Sequence, residues 1–121
     1  MHELAICQAL MNQVDQIALE QRATGVAKIV LQIGPLSGIE SQLLEQAFPL
    51  ASAGSMAESC VLEVKQQVIE VECSKCGQYS VATPSRLVCA ECGEWRTRLI
   101  SGDEMLLERV ELICDEEINH V

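Results

Sequence analysis

The stretch Cys73-Ser-Lys-Cys-Gly-Gln-Tyr-Ser-Val-Ala-Thr-Pro-Ser-Arg-Leu-Val-Cys-Ala-Glu-Cys-Gly-Glu-Trp-Arg-Thr-Arg98 decides how the rest of the chain is read. It holds two CxxCG knuckles, Cys73–Gly77 and Cys89–Gly93, with twelve residues between Cys76 and Cys89. A CxxC spacing sets two sulfurs on one side of a tight turn, and the following glycine permits the positive φ that such a turn needs. Two knuckles together offer four thiolates, the tetrahedral set that Zn²⁺ prefers, with no position left open for a substrate. Cys73, Cys76, Cys89 and Cys92 are therefore read as a structural zinc site. A segment this short buries too little apolar surface to fold alone. Metal binding worth roughly 10–16 kcal/mol would make binding and folding one event. Iron in the same four sulfurs, as in a rubredoxin-like redox protein, is the less favoured reading.

Outward from the knuckles, the chain is 121 residues long, enough for about one ordinary domain or two very small ones. Hydrophobic residues make up 49% but aromatics only 2%, so a core must be built from Leu, Ile, Val, Ala and Met. Net charge is −10. The side chains of residues 73–98 carry +2, which four thiolates around Zn²⁺ bring to about zero, so the acidity lies in the remainder. A nucleic-acid ribbon would be plainly basic, and this one is not. The N-terminus lacks the basic and apolar regions of a secretory signal, and no run of about 18 apolar residues could span a membrane. A cytoplasmic, reducing location is expected, where paired CxxC motifs bind metal more often than they form disulfides.

Before the knuckles, residues 3–24 show helical periodicity, with Leu4, Cys7, Leu10, Met11, Val14, Ile17 and Ala18 on one stripe. Gly25 is the expected terminator. Val26–Ile33 reads as a half-buried strand, with Ala27, Ile29, Leu31 and Ile33 on one face and Lys28 and Gln32 on the other. A turn at residues 35–38 leads to a second helix carrying Leu43, Leu44, Ala47, Phe48 and Ala51. Ser37 with Glu40 could form a capping box, and Ser41 is an equally good start. Pro49 is expected to kink that helix or end it early. Residues 60–65 alternate as a further strand, and residues 105–112 give a third with imperfect alternation, Glu108 sharing a face with Leu106 and Val110, while residues 73–98 show little periodicity.

The order α-β-α-β, insert, β predicts an α+β fold. Two helices pack on a small mixed sheet of about three strands, with a four-cysteine zinc-ribbon domain inserted before the last strand. The expected boundaries are residues 1–68 plus 100–121 for the α/β domain and 69–99 for the ribbon. Cys7, Cys60 and Cys114 are read as core thiols.

His2 directly follows the initiating methionine. The Met1 amine, a backbone nitrogen and the His2 imidazole can close fused chelate rings around one ion, and the Glu3 amide or a carboxylate can complete a square plane. Such nitrogen-rich geometry suits Ni(II) or Cu(II). Glu3 has a plainer reading as a first-turn carboxylate favoured by the helix dipole. No phosphate loop or catalytic triad pattern is visible, so no enzymatic activity is expected.

Taken in order, Met1-His2-Glu3-Leu4, Ile33-Gly34-Pro-Leu36-Ser37-Gly-Ile-Glu40, Gly54-Ser-Met-Ala57-Glu58, the two knuckles and Gly102-Asp-Glu-Met-Leu-Leu-Glu-Arg-Val-Glu111 resemble the HypA/HybF family of nickel metallochaperones in [NiFe]-hydrogenase maturation. The resemblance covers essentially the whole chain. It implies Ni(II) as cargo, held by His2 with the Met1 amine and the Glu3 backbone nitrogen, and Glu40 at a position where the family carries an acidic residue that can approach the nickel. It implies Zn(II) at Cys73, Cys76, Cys89 and Cys92. Its implied partners are the GTPase HypB and the hydrogenase large-subunit precursor, and some members also serve urease maturation. Pro49, the Ser41-Gln42 stretch and the acidic tail with His120 depart from that pattern. The competing reading is a zinc-ribbon protein–protein adaptor in which the N-terminus has no metal role.

Overall fold

A computed structural model describes residues 2–114, so the Met1 amine and His120 lie outside the described residues. The elements are α1 (His2–Glu20), β1 (Gly25–Ile33), α2 (Ser41–Ser52), β2 (Val61–Gln66), β3 (Ile69–Cys73), β4 (Tyr79–Ala82), β5 (Thr97–Ser101) and β6 (Met105–Ile113). The chain divides into two compact units, Met1–Leu31 with Glu40–Val64 and Leu107–Val121, and Gln32–Ile39 with Lys65–Leu106.

Helix α1 buries Cys7, Leu10, Met11, Val14 and Ala18, the expected stripe from its second turn onward. The stripe starts differently. Leu4 is exposed and Glu3 is buried in its place. The helix also stops earlier than the periodicity suggested. Arg22 takes a φ of 56°, with Ala23 N–H bonded to Ala18 C=O and Arg22 N–H to Leu19 C=O. That is a Schellman ending with a non-glycine residue in the left-handed position, and Gly25 instead opens β1.

Strand β1 is the middle of a three-stranded sheet in the order β2-β1-β6. Bonds from Thr24 N–H to Ile113 C=O and from Gly34 N–H to Glu104 C=O, at its two ends, make β6 antiparallel to it. Bonds from Val26 N–H to Met56 C=O and from Gln67 N–H to Ile33 C=O make β2 parallel, so the sheet is mixed. A central strand is covered more completely than a half-buried one. Val26, Ile29, Val30, Leu31 and Ile33 are all buried, while Ala27 is exposed, which corrects the expected two-face division.

Helix α2 lies parallel to α1. The Glu3 carboxylate meets the Glu40 amide, and the Cys7 thiol meets the Leu44 carbonyl, so contacts advance along both helices in step. Leu44, Phe48 and Ser52 form its buried face, and Leu43 is exposed. The helix begins at Ser41 with Glu40 as N-cap and no side-chain cap, so the Ser37–Glu40 capping box does not form. The Ser37 hydroxyl instead accepts from the Ile39 amide, a local turn that competes with capping. Pro49 lies inside the helix, which continues to Ser52, so the early end did not occur. Proline in the ninth position removes only the bond to the Glu45 carbonyl, one turn back.

The second unit contains a second three-stranded sheet, β4-β3-β5, with both neighbours antiparallel to β3. The sequence shows little periodicity over residues 73–98, where β4 and the start of β5 form. In β3 alternation is present but short: Ile69, Val71 and Cys73 point inward between Glu70 and Glu72. The crossing of segments near residues 34, 67 and 102 is tight. Gly102 N–H donates to the Gln67 side-chain oxygen, Leu36 N–H to Gly102 C=O, and a Cβ built on Gly34 would lie 2.2 Å from the Gly102 oxygen.

Candidate metal centres

The two knuckles repeat one hydrogen-bond scheme. Gly77 N–H bonds Cys73 C=O and Gly93 N–H bonds Cys89 C=O, with glycine φ values of 76° and 79°. Cys73 N–H then bonds Gln78 C=O and Cys89 N–H bonds Glu94 C=O, which closes each knuckle. Amides of Lys75 and Cys76 donate to the Cys73 sulfur, both at 3.3 Å, and the Glu91 amide donates to the Cys89 sulfur at 3.3 Å. The Lys75 and Glu91 donors lie at the same offset in the two knuckles, so the likeness of the two cysteine pairs in sequence was their signal.

The four sulfurs all lie within 4.8 Å of one another. Cys73 and Cys92 approach to 3.6 Å, and Cys76 and Cys89 to 3.7 Å. Four sulfurs bound tetrahedrally at the Zn–S length would be about 3.8 Å apart, so the cage has the size of such an ion's first shell. Its charges agree. The Cys76 amide leads the groups that hold the Cys73 thiol down at about 6, against the cost of burial. At Cys89 burial pushes upward, but the Cys92 and Glu91 amides and neighbouring sulfurs leave the thiol lowered. At Cys92 the Glu94 amide favours the thiolate, yet burial and three adjacent sulfurs push it up to about 12. Cys76 is likewise raised, the Gln78 amide being outweighed by burial and by Cys73 and Cys89. Cys73 and Cys89 are thus pushed towards the thiolate, and Cys76 and Cys92 away from it. A divalent cation among them removes that conflict, so the donor set fits the metal.

Around the cage, the Ser74 hydroxyl donates to Arg96 C=O, and the Thr97 hydroxyl to Leu87 C=O at 2.8 Å. Glu94 pairs with Arg96, whose guanidinium lies 5.6 Å from the Trp95 ring centre. Arg98 pairs with Glu72 across β5 and β3. In the sequence these residues counted only as charge, and their pairing was not anticipated.

At the start of α1, His2 is exposed, and its Nε2 lies 3.6 Å from a Glu3 oxygen. Glu3 is only 4% exposed. Its carboxylate accepts the Glu40 amide at 3.4 Å, so Glu40, exposed itself, is brought to the first turn of α1 by its backbone. Cys7 is buried in the helix pair, while Cys60 and Cys114 are half-buried. Among the described residues, the four knuckle cysteines are the only group of three or more His, Cys, Asp or Glu side chains arranged to hold a metal.

A family model described as "Hydrogenase/urease nickel incorporation, metallochaperone, hypA" matches residues 1–112. The chain belongs to the HypA family. It is 46% identical over 113 residues to the hydrogenase maturation factor HypA of Nitrosospira multiformis, covering 93% of this chain and 98% of that one. To the HypA of Aquifex aeolicus it is 37% identical over 115 residues, covering 95% and 100%. Its fold is that of HypA solution structures. The nickel metallochaperone HypA from Helicobacter pylori aligns with a TM-score of 0.71 at 23% identity, over 95% of this chain and all of that one. A second HypA structure aligns with a TM-score of 0.74 over 95% and 98%. The HypA fold accounts for both parts of the architecture, the helix pair with its mixed sheet and the four-cysteine ribbon.

Proposed function

We propose that this chain binds Ni(II) at its N-terminus and delivers it to the [NiFe]-hydrogenase large-subunit precursor during maturation. His2 supplies the imidazole, with the Met1 amine and the Glu3 backbone nitrogen beside it and Glu40 as the carboxylate that approaches the ion. Cys73, Cys76, Cys89 and Cys92 hold a structural Zn(II). The nickel domain comprises residues 1–68 with 100–121, and the ribbon residues 69–99. The chain is not an enzyme. The GTP-driven step belongs to the partner HypB, in the cytoplasm, and the family description extends the same role to urease.

The observation that carries this reading is the arrangement of His2, Glu3 and Glu40. An exposed imidazole stands at the first position of α1, and the buried Glu3 carboxylate beside it draws the Glu40 backbone to the same end. A carrier needs few ligands at an accessible chain end, so that a stronger site can remove the cargo. Four sulfur ligands in a closed cage would hold an ion too firmly for transfer.

Nickel titration by calorimetry, with metal analysis, tests the assignment. The protein with a free N-terminus should bind one Ni(II). His2→Ala and a form carrying an N-terminal extension should not, while zinc remains at one per chain in all three. Nickel retained by His2→Ala overturns the ligand assignment. Absence of nickel binding in every form favours the zinc-ribbon adaptor.

A further inference from the structure

The four ribbon sulfurs are not equivalent. Cys73 and Cys89 are 3% and 1% exposed, whereas Cys76 and Cys92 lie at the surface. Both buried sulfurs also accept 3.3 Å hydrogen bonds from amides of their own knuckles, which draws electron density from them. The short contacts then join unlike members. Exposed Cys92 lies 3.6 Å from buried Cys73, and exposed Cys76 lies 3.7 Å from buried Cys89. Each pair crosses from one knuckle to the other. Access decides which sulfur an external electrophile reaches, and proximity decides which second sulfur completes the reaction.

We propose that the ribbon is an oxidation site for hydroperoxides, with Cys76 and Cys92 the sulfurs attacked and Cys89 and Cys73 their resolving partners. In the zinc-bound ribbon, where the ion keeps all four sulfurs as thiolates, the Cys76 thiolate attacks one peroxide oxygen of H₂O₂, breaking the O–O bond, and becomes a sulfenic acid while hydroxide leaves and is protonated to water. The Cys89 thiolate then attacks the Cys76 sulfur, forming the S–S bond and expelling the sulfenic oxygen, which takes a proton to leave as water. Cys92 and Cys73 react in the same way. Two peroxides and four protons thus convert four thiolates into two disulfides and four waters, and the divalent ion is released. Because both bonds cross between knuckles, the oxidised ribbon keeps its two halves joined, and reduction restores the four-sulfur cage.

The proposal rests on the zinc reading of the cage, so metal content is measured first. Full-length protein holding one zinc per chain is treated with limiting H₂O₂, and remaining thiols are capped with N-ethylmaleimide. Digestion with trypsin and Glu-C then cuts after Lys75, Arg86 and Glu91, which separates all four cysteines for mass spectrometry. Cys73–Cys92 and Cys76–Cys89 peptides are expected, with zinc released in proportion and rebound after reduction. Within-knuckle links, a Cys73–Cys89 link, or irreversible sulfonic acids overturn the proposal. In unoxidised zinc protein, Cys76 and Cys92 should be alkylated roughly fivefold or more faster than Cys73 and Cys89, as accessible sulfurs are; equal rates also overturn it. Protein purified without zinc overturns the zinc reading instead, and the same digest still reads the sulfur pairing.

Discussion

The Glu40 amide donates to the Glu3 carboxylate at 3.4 Å, across a sequence separation of 37 residues. That bond ties the first turn of α1 to the N-cap of α2, a position that has no side-chain cap of its own. Glu3 therefore serves two ends at once. It satisfies one of the orphan amides of α2, and it keeps a carboxylate next to His2. Glu3→Ala should lower the urea midpoint of unfolding, because the part-buried Glu40 amide loses its acceptor. Glu3→Gln, which keeps an acceptor oxygen, should lower it less. Equal midpoints for the two variants would remove the capping role.

The helix stripe, the strand at residues 26–33 and the ribbon cysteines were legible because each is a local pattern: a 3.6-residue period, an alternation of side chains, a pair of CxxC motifs. What was illegible came from partners distant in sequence. Glu3 reads as an ordinary first-turn acid until the Glu40 amide is seen to need it. The face that carries Lys28 and Gln32 reads as the polar one until β1 proves to be the middle strand, with Val26 and Val30 buried. Strands β3 and β5 carry Glu72 and Arg98, which look like solvated charges in sequence and pair across the sheet in the fold.

Removal of zinc should be felt first in the ribbon. The backbone amides that hold the knuckles donate to sulfurs, and those sulfurs repel one another as thiolates once the cation is gone. After chelation, hydrogen exchange should accelerate by orders of magnitude at the amides of β3, β4 and β5. The amides of α1 and α2 should retain most of their protection, since their core of Cys7, Leu10, Val14, Leu44 and Phe48 contains no metal ligand. Uniform loss of protection through both helices would contradict that division.

Gly34 and Gly102 pack backbone against backbone within the second unit. A Cβ on Gly34 would lie 2.2 Å from Gly102 O and 2.8 Å from Asp103 N, both backbone atoms that cannot turn aside. Gly34→Ala should therefore cost about 3 kcal/mol, at the upper end of overpacking penalties. Gly38 makes the comparison. It has a φ of 79° but nothing within 4 Å of an added Cβ, so Gly38→Ala should cost only about 1–2 kcal/mol, the left-handed backbone penalty alone. Thermal denaturation of the two variants measures the difference, and a Gly34 variant as mild as the Gly38 variant would mean the crossing yields readily.

Cys7 gives stability an alkaline limit. Burial, and then the negative charge of Glu3, pushes its thiol above the ordinary range, while its Sγ–H donates to Leu44 C=O at 3.5 Å between the two helices. Burial raises Cys60 as well. A thiol whose folded pKa is raised keeps its proton in the native state after the unfolded chain has lost it. Its contribution is fully present below the unfolded value of about 8.5 and is lost as pH rises from there through the folded value. The urea midpoint of the wild type should therefore fall between about pH 8 and pH 10, the range that brackets that value. The fall should be smaller in Cys7→Ala, which has one fewer thiol to ionise on unfolding. Over the same range Cys7 should resist alkylation in native protein and react only at the rate of unfolding. A Cys7 that reacts as fast as a surface thiol at about pH 9, where free thiols ionise, would show that the α1–α2 contact opens without global unfolding, and the alkaline loss would then have another origin.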